Sequence, residues 1–261
     1  MTASPLQAVD LVVGYGETTV LDGVSVDVLA GELTVIVGPN ACGKSTLLRA
    51  LARVLPVRGG HVRLDGREIG EYAPKQAARR LALLPQQPAA PEGITVADLV
   101  ARGRYPHQSL LRQWSVADQE AVDEALAAAG VAELARRPVE HLSGGQRQRV
   151  WIAMTLAQAT PVLLLDEPTT YLDIAHQLEV LELASRLQRE GRTVVAVLHD
   201  LHLAFRYATH LIVMHGGSVV AEGAPADVVT PELVERVFSV RCRVVPDPES
   251  GTPMVIPLRS A

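Results

Sequence analysis

The stretch LTVIVGPNACGKSTLLRALARVLP constrains the fold more than any other part of the chain. Residues 33–37 are apolar without interruption, as a strand covered on both faces requires. From Thr46 the apolar spacing becomes helical and is closed by Pro56. Between strand and helix stand Gly38, Pro39, Asn40, Ala41, Cys42, Gly43, Lys44, Ser45 and Thr46. This order makes a phosphate cradle. Backbone N–H groups and the helix N-terminus surround a polyphosphate, the Lys44 ammonium reaches its β and γ oxygens, and the Ser45 hydroxyl binds Mg2+. Of 24 basic residues only Lys44 and Lys75 are lysine. A chain that otherwise uses arginine keeps an ammonium here because a wide planar guanidinium does not fit beneath such a cradle.

A cradle of this kind needs a carboxylate at a neighbouring strand end to hold Mg2+, and VLLLDEP supplies Asp166 followed by Glu167. Adjacent residues at an extended strand end point to different sides. Asp166 is therefore expected to serve the metal, and Glu167 to face an attacking water as its base or its orienter. Alone, the segment reads better as a strand ending in a polar turn before Pro168, and only the phosphate cradle upstream overturns that reading. His199 closes another apolar run, TVVAVLHD, and a third strand end at the same sheet edge favours a γ-phosphate contact. Gln86 sits in a proline-flanked loop, and by itself a loop glutamine is ordinarily solvated.

HLSGGQRQRV holds a second Ser-Gly-Gly nest, ahead of what reads as another helix. Three phosphates enclosed by a cradle and a metal leave it nothing to hold in its own chain. The economical reading is that it caps the nucleotide of a second copy. Arg147 and Arg149 read as a solvated helix face.

Around these motifs, residues 6–37 read as short antiparallel strands, and KQAARRLALLPQQP as a basic helix-like piece running into a break. From about 94 to 140 the pattern is helical, with Ser115 and Asp118 spaced as a capping box and Gly130 as a stop. After this lobe strands and helices alternate again, and the tail CRVVPDPESGTPMVIPL reads as a hairpin. At 261 residues and 48% hydrophobic the chain can bury a full core. A net charge of -5 with 3% aromatics argues against a nucleic-acid partner. Cys42 and Cys242 suggest no disulfide framework, which fits a reducing cytosol. No signal core and no run near the length that spans a bilayer is present.

The combination of GPNACGKST, LSGGQRQRV, LLLDEPTTYLD and LHD resembles the nucleotide-binding subunit of an ABC transporter over residues 6–223. The resemblance implies an α/β fold: a P-loop NTPase, RecA-like core with an antiparallel β entry sheet and an inserted ABC α-helical subdomain. Its ATPase domain would span 6–240, the helical subdomain about 94–150, and a hairpin-like tail 241–261. It implies ATP and Mg2+ as cofactors. Residues Asn40 to Thr46 look like the phosphate loop, and Gln86 like the residue that touches Mg2+ and water and senses the membrane subunit. Ser143, Gly144, Gly145 and Gln146 resemble the signature that binds ATP across a head-to-tail dimer, Asp173 the aspartate at that interface, and His199 the switch histidine. Tyr15 looks like the aromatic that stacks on adenine, while its Gly-Tyr-Gly turn reads equally as a cap on the small sheet.

VARGRYPHQ after ALLPQ, together with the tail, is similar to ATPases of ferric-siderophore importers of the enterobactin type; haem and cobalamin importers share much of this. Read by itself, the first segment is a basic, proline-broken surface loop after a helix. The resemblance implies a homodimer working with integral permease subunits, and indirectly with a substrate-binding protein, at the cytoplasmic face of the inner membrane. A soluble ABC ATPase acting on nucleic acid would need a long coiled-coil insertion or tandem halves. A small-molecule P-loop kinase would have no use for LSGGQ.

Overall fold

The computed structural model describes residues 4–109, 114–170 and 172–258. The strands are β1 (Leu6–Tyr15), β2 (Thr18–Val28), β3 (Leu33–Val37), β4 (Gly59–Leu64), β5 (Arg67–Glu68), β6 (Leu81–Leu84), β7 (Val162–Asp166), β8 (Thr193–Val197), β9 (His210–His215), β10 (Ser218–Gly223), β11 (Cys242–Pro246) and β12 (Pro253–Pro257). The helices are α1 (Lys44–Leu51), α2 (Pro74–Ala78), α3 (Val96–Ala101), α4 (Val116–Ala128), α5 (Gly144–Ala157), α6 (Ile174–Arg189), α7 (Leu201–Tyr207), α8 (Pro225–Val228) and α9 (Pro231–Phe238). The chain divides into two compact units, Met1–Glu71 with Thr193–Ala261, and Tyr72–Arg192.

In the first unit an antiparallel sheet runs in the order β2-β1-β4-β5. Its central strand buries Leu6 and Ala8, then Leu11 and Val13, which is a change of parity. A bulge explains it. Asp10 has φ 49, the register shifts between Ala8 and Leu11, and the extra residue keeps both apolar pairs on the core face. Beside this sheet β3 lies between β8 and β9 and is parallel to both, with Ile36 opposite Val197 and Ile212. All five residues of β3 and of β8 are buried, as their unbroken apolar runs demand. The strands β11 and β12 pair as a hairpin, Cys242 opposite Pro257, and pack beside α9 and α7.

In the second unit β6 and β7 are parallel, Leu81 opposite Val162 through Leu84 opposite Leu165. This corrects the reading of residues 75–88 as a helix-like piece and a break: only Pro74–Ala78 is helical, and LALL forms a strand. Helices α3, α4 and α5 pack on one another. Ser115 and Asp118 form a reciprocal capping box on α4, and Gly130 follows its end with φ 62. Helix α5 continues to Ala157, beyond residue 150.

The segment after α3 is not a solvated loop over Arg102–His107 but a tight 3-10 helix pinned at every second or third residue. A Cβ on Gly103 would lie 2.2 Å from the Met154 carbonyl oxygen, so only glycine lets the segment approach α5. Arg104 Nε donates to Asp118 at 2.9 Å and its Nη1 to the Ala157 carbonyl at 2.8 Å. Arg79 and Lys75 donate to the carbonyls of Pro106 and Gln108. Tyr105 is left 64% exposed, with the Lys75 ammonium 4.4 Å from its ring centre. The rest of the basic stretch, residues 110–113, lies outside the described residues.

Candidate functional site

The loop after β3 is built to keep side chains away from its inner face. A Cβ on Gly38 would sit 2.2 Å from the Met214 carbonyl oxygen and 2.7 Å from Cys42 Sγ, so none fits. Gly43 has φ 103, a conformation side chains rarely adopt, and Ala41 two residues earlier already lies at φ 61. Gly217 N donates to the Cys42 carbonyl at 3.2 Å and ties the loop to the β9–β10 turn. Lys44 is 5% exposed, and its Nζ donates to the Gly38 and Pro39 carbonyls at 2.9 and 2.8 Å. Two of its three hydrogens therefore fix the ammonium under the loop.

Helix α1 then begins without a side-chain cap and without an acidic residue in its first turn. The other described helices of eight residues or more, α4, α5, α6 and α9, are each capped by a serine, aspartate or threonine. At α1 no side chain of the chain's own caps the first turn or offsets the positive end of the helix dipole, which suits an anion. Burial pushes the Cys42 thiol up, against the pull of the Lys44 ammonium, so it stays protonated and uncharged beside the cradle. His199 leaves the same edge: Ile36 pairs with Val197, and two residues further on stand Gly38 and His199. His199 is exposed, and Asp200 after it caps α7.

In the second unit β7 ends at Asp166, wholly buried, and Glu167 leaves the strand at φ 53. Glu167 thus follows β7 as a left-handed residue and not as the next position of an extended strand, which corrects the expectation of simple strand alternation. Such a conformation costs a non-glycine residue about 1–2 kcal/mol. Gln86 Nε2 donates to Glu167 Oε2 at 2.6 Å, and Thr170 Oγ1 donates to the same oxygen at 3.1 Å. The parallel register brings Gln86 there: Leu84 pairs with Leu165, and Gln86 and Glu167 follow at equal distance. Thr170 escaped the sequence reading, although its place three residues after Glu167 in a Pro-containing turn was the available signal.

Ser143 is the N-cap of α5. Its Oγ accepts from Gln146 N at 3.2 Å, while Gln146 Oε1 accepts from Ser143 N at 3.1 Å. Between them a Cβ on Gly144 would meet nothing within 4 Å, and one on Gly145 only the His176 ring at 3.5 Å. Neither glycine is demanded by packing within the chain, yet each costs about 1 kcal/mol against alanine in a helix. Asp173 caps α6 through His176 N at 3.0 Å and meets His176 Nδ1 at 2.6 Å. The His176 N–H, then its ring, hold the exposed Asp173 carboxyl below the ordinary carboxylate range. His176 is a second residue that motif reading missed. Tyr15 stands at the end of β1, 47% exposed.

In the first unit Ser45 offers a hydroxyl, and in the second Asp166 and Gln86 offer a carboxylate and an amide oxygen, each a hard donor of the kind Mg2+ accepts. Among the described residues no group of three or more His, Cys, Asp or Glu could hold a metal ion.

Comparison with known proteins gives a consistent picture. The profile of a family described as "ABC transporter" matches residues 21–170. The ferric enterobactin transport ATP-binding protein FepC of Escherichia coli (strain K12) is 54% identical over 254 residues, covering 97% of this chain and 94% of that protein. The probable siderophore transport system ATP-binding protein YusV of Bacillus subtilis (strain 168) is 53% identical over 98% and 94%. Among solved structures, the ADP conformation of MJ1267, an ATP-binding cassette of an ABC transporter, superposes with a TM-score of 0.80 at 26% identity, over 91% of this chain and 98% of that one.

Proposed function

We propose, from the premise that this chain belongs to the ABC transporter family, that it is the ATP-hydrolysing subunit that energises import of an iron(III)–siderophore complex. The observation that carries the ATP reading is the α1 N-terminus, open and uncapped behind two glycines with a buried lysine beneath it. The loop N–H groups and Lys44 bind the β and γ phosphates. Ser45, Asp166 and Gln86 would hold Mg2+, which supplies charge neutralisation to the phosphoryl oxygens. Glu167 accepts the proton of the attacking water. Gln86 and Thr170 fix one of its oxygens and so hold the carboxylate in place for that role. His199 contacts the γ-phosphate, and Tyr15 stacks on the adenine.

The unexplained glycines at the start of α5 favour closure by a second copy, with Ser143 to Gln146 and Asp173 at the ATP of the partner. ATP then bridges two chains and its hydrolysis separates them, a ligand-driven two-state switch. No helix among the described residues is long and apolar enough to cross a membrane. The import pathway is therefore assigned to separate permease subunits, and the anchored 3-10 segment bearing Tyr105 is the surface offered to them at the cytoplasmic face. A substrate-binding protein joins indirectly, on the other side.

Siderophore cargo rests on the two relatives named above. Deleting the gene is expected to abolish uptake of radiolabelled iron(III)–enterobactin or a related catecholate, while haem and cobalamin uptake continue. Loss of haem or cobalamin uptake instead would replace the cargo and leave the ATPase reading in place. In the purified chain, Ser143→Arg is expected to abolish turnover while ATP binding stays within about twofold. Loss of nucleotide binding would contradict action across a dimer.

A further inference from the structure

The C-terminal hairpin has no part in the mechanism above, yet it reaches the helix that follows His199. Strand β12 packs beside α7, and the turn joining β11 to β12 carries Asp247, which is only 5% exposed. Its Oδ1 accepts from Glu249 N at 2.8 Å and Ser250 N at 2.9 Å, so one oxygen shapes the turn. Its other oxygen, Oδ2, lies 3.4 Å from His202 Nε2, one helical turn beyond His199. The Ser250 and Glu249 N–H groups hold the Asp247 carboxyl below its ordinary range, with Arg206, four residues after His202, adding its charge. A buried carboxylate thus divides its two oxygens between its own turn and α7.

His199 has little freedom of its own. On one side β8 is locked into the parallel sheet, with Leu198 N donating to the Ile36 carbonyl. On the other, Asp200 caps α7 by accepting from Leu203 N at 2.9 Å, so the backbone at His199 spans a fixed strand and a seven-residue helix. Leu203, Ala204 and Phe205 hold the inner face of α7 by burial. Asp247 holds its outer face. A shift of α7 is passed through its cap residue Asp200 to His199.

We infer that Asp247 and His202 are positioning residues for the phosphate-contacting histidine, and that the C-terminal hairpin is a brace for the catalytic edge of its own chain. This rests on the proposed ATPase function. Its test is Asp247→Asn in the full-length protein, because asparagine still accepts from Glu249 and Ser250 and keeps the turn while removing the charge facing His202. The expected result is kcat about five- to tenfold lower, with KM for ATP and the thermal midpoint little changed, since a small misplacement of a reacting group costs rate rather than binding. His202→Leu should match it, and His202→Arg, which places a donor and a cation before Asp247, should restore kcat to within about twofold. Amide exchange over residues 199–207 should quicken by about tenfold or more in Asp247→Asn, with α1 unaffected. A kcat within twofold of the parent overturns the inference, as do kcat, KM and midpoint falling together. A parent protein with no ATPase activity refutes the functional proposal instead, and unchanged exchange then still refutes the brace.

Discussion

Replacing Asp118 by Asn tests whether the helical part of the second unit depends on one buried ion pair. The Arg104 and Asp118 side chains are 8% and 7% exposed and meet at 2.9 Å. The second carboxylate oxygen accepts from Ser115 N at 3.0 Å and Ser115 Oγ at 2.6 Å, closing the N-terminus of α4. An asparagine has one acceptor for two sets of donors, so either Arg104 or Ser115 faces an N–H group. The guanidinium also loses its countercharge. Removing one partner of a buried pair costs about 3–5 kcal/mol, and loss of a cap about 1 kcal/mol, two effects that overlap here because the same residue serves both. A loss of about 4 kcal/mol should lower the urea midpoint markedly and the thermal midpoint by about 8–16 °C for a protein of this size. The exposed Asp123→Asn on the same helix is the control, expected within about 0.5 kcal/mol. Arg104→Met combined with Asp118→Asn should regain about half the loss, since no charge is left stranded. A shift below about 1 kcal/mol for Asp118→Asn would refute the reasoning, because it would mean that Arg104 finds water or another acceptor at no cost.

Glu167→Gln should bind Mg-ATP, hydrolyse it at least about a hundredfold more slowly, and elute as a dimer only when ATP is present; an ATP-independent monomer on gel filtration would contradict closure by a second copy. Gly144→Ala should raise the stability of the isolated chain by about 0.5–1 kcal/mol in urea melts while reducing turnover, since a Cβ there meets nothing within the chain. Asp118 is held low first by the Ser115 hydroxyl and then by Arg104. A carboxyl whose folded pKa lies below its unfolded value adds stability at pH above that unfolded value and loses it as pH falls through the folded one. Acid denaturation monitored by circular dichroism should therefore set in below the ordinary aspartate range, and Asp118→Asn should flatten that limb. With its thiol pushed up by burial, Cys42 should react with maleimide more slowly than a free cysteine at neutral pH, and more slowly again with ATP bound.

What the sequence made legible was what a short stretch encodes by itself. Unbroken apolar runs announced β3, β7 and β8, and the capping box at Ser115 and Asp118 appears in the structure atom for atom. β6 was missed because four apolar residues, LALL, have no periodicity to read and follow a helix-like basic piece. That omission hid the cause of the Gln86–Glu167 contact, since a parallel register places the two residues at matching distances beyond paired strands. Thr170 and His176 were invisible for another reason. Each acts through a turn whose backbone path depends on a left-handed residue or an N-cap, and residue type alone predicts neither. The segment 102–107 read equally as a loop because its anchors, Met154, Ala157 and Asp118, are far along the chain.

Several of the places where local preference is violated coincide with the motif segments. Ala41 and Glu167 adopt left-handed backbone without being glycine, α1 alone of the longer described helices begins uncapped, and α5 opens on two glycines that its own packing does not require. Each lowers the stability of the chain in isolation by about a kilocalorie per mole, within the small margin on which a folded domain rests. In a sequence shaped only for folding such costs would be spread at random over the surface. Asp10, Arg53, Asp65, Ala159 and Ser239 are left-handed elsewhere, in bulges, turns and helix ends, but Ala41, Glu167, the start of α1 and the start of α5 lie on the glycine loop, the strand-end carboxylate and the LSGGQ helix, the segments expected at phosphate, at metal and water, and at a second copy. The turned Glu167 carboxylate is held within the chain by Gln86 and Thr170, whereas on the function proposed above the uncapped start of α1 and the open start of α5 would be completed by a ligand and a second copy.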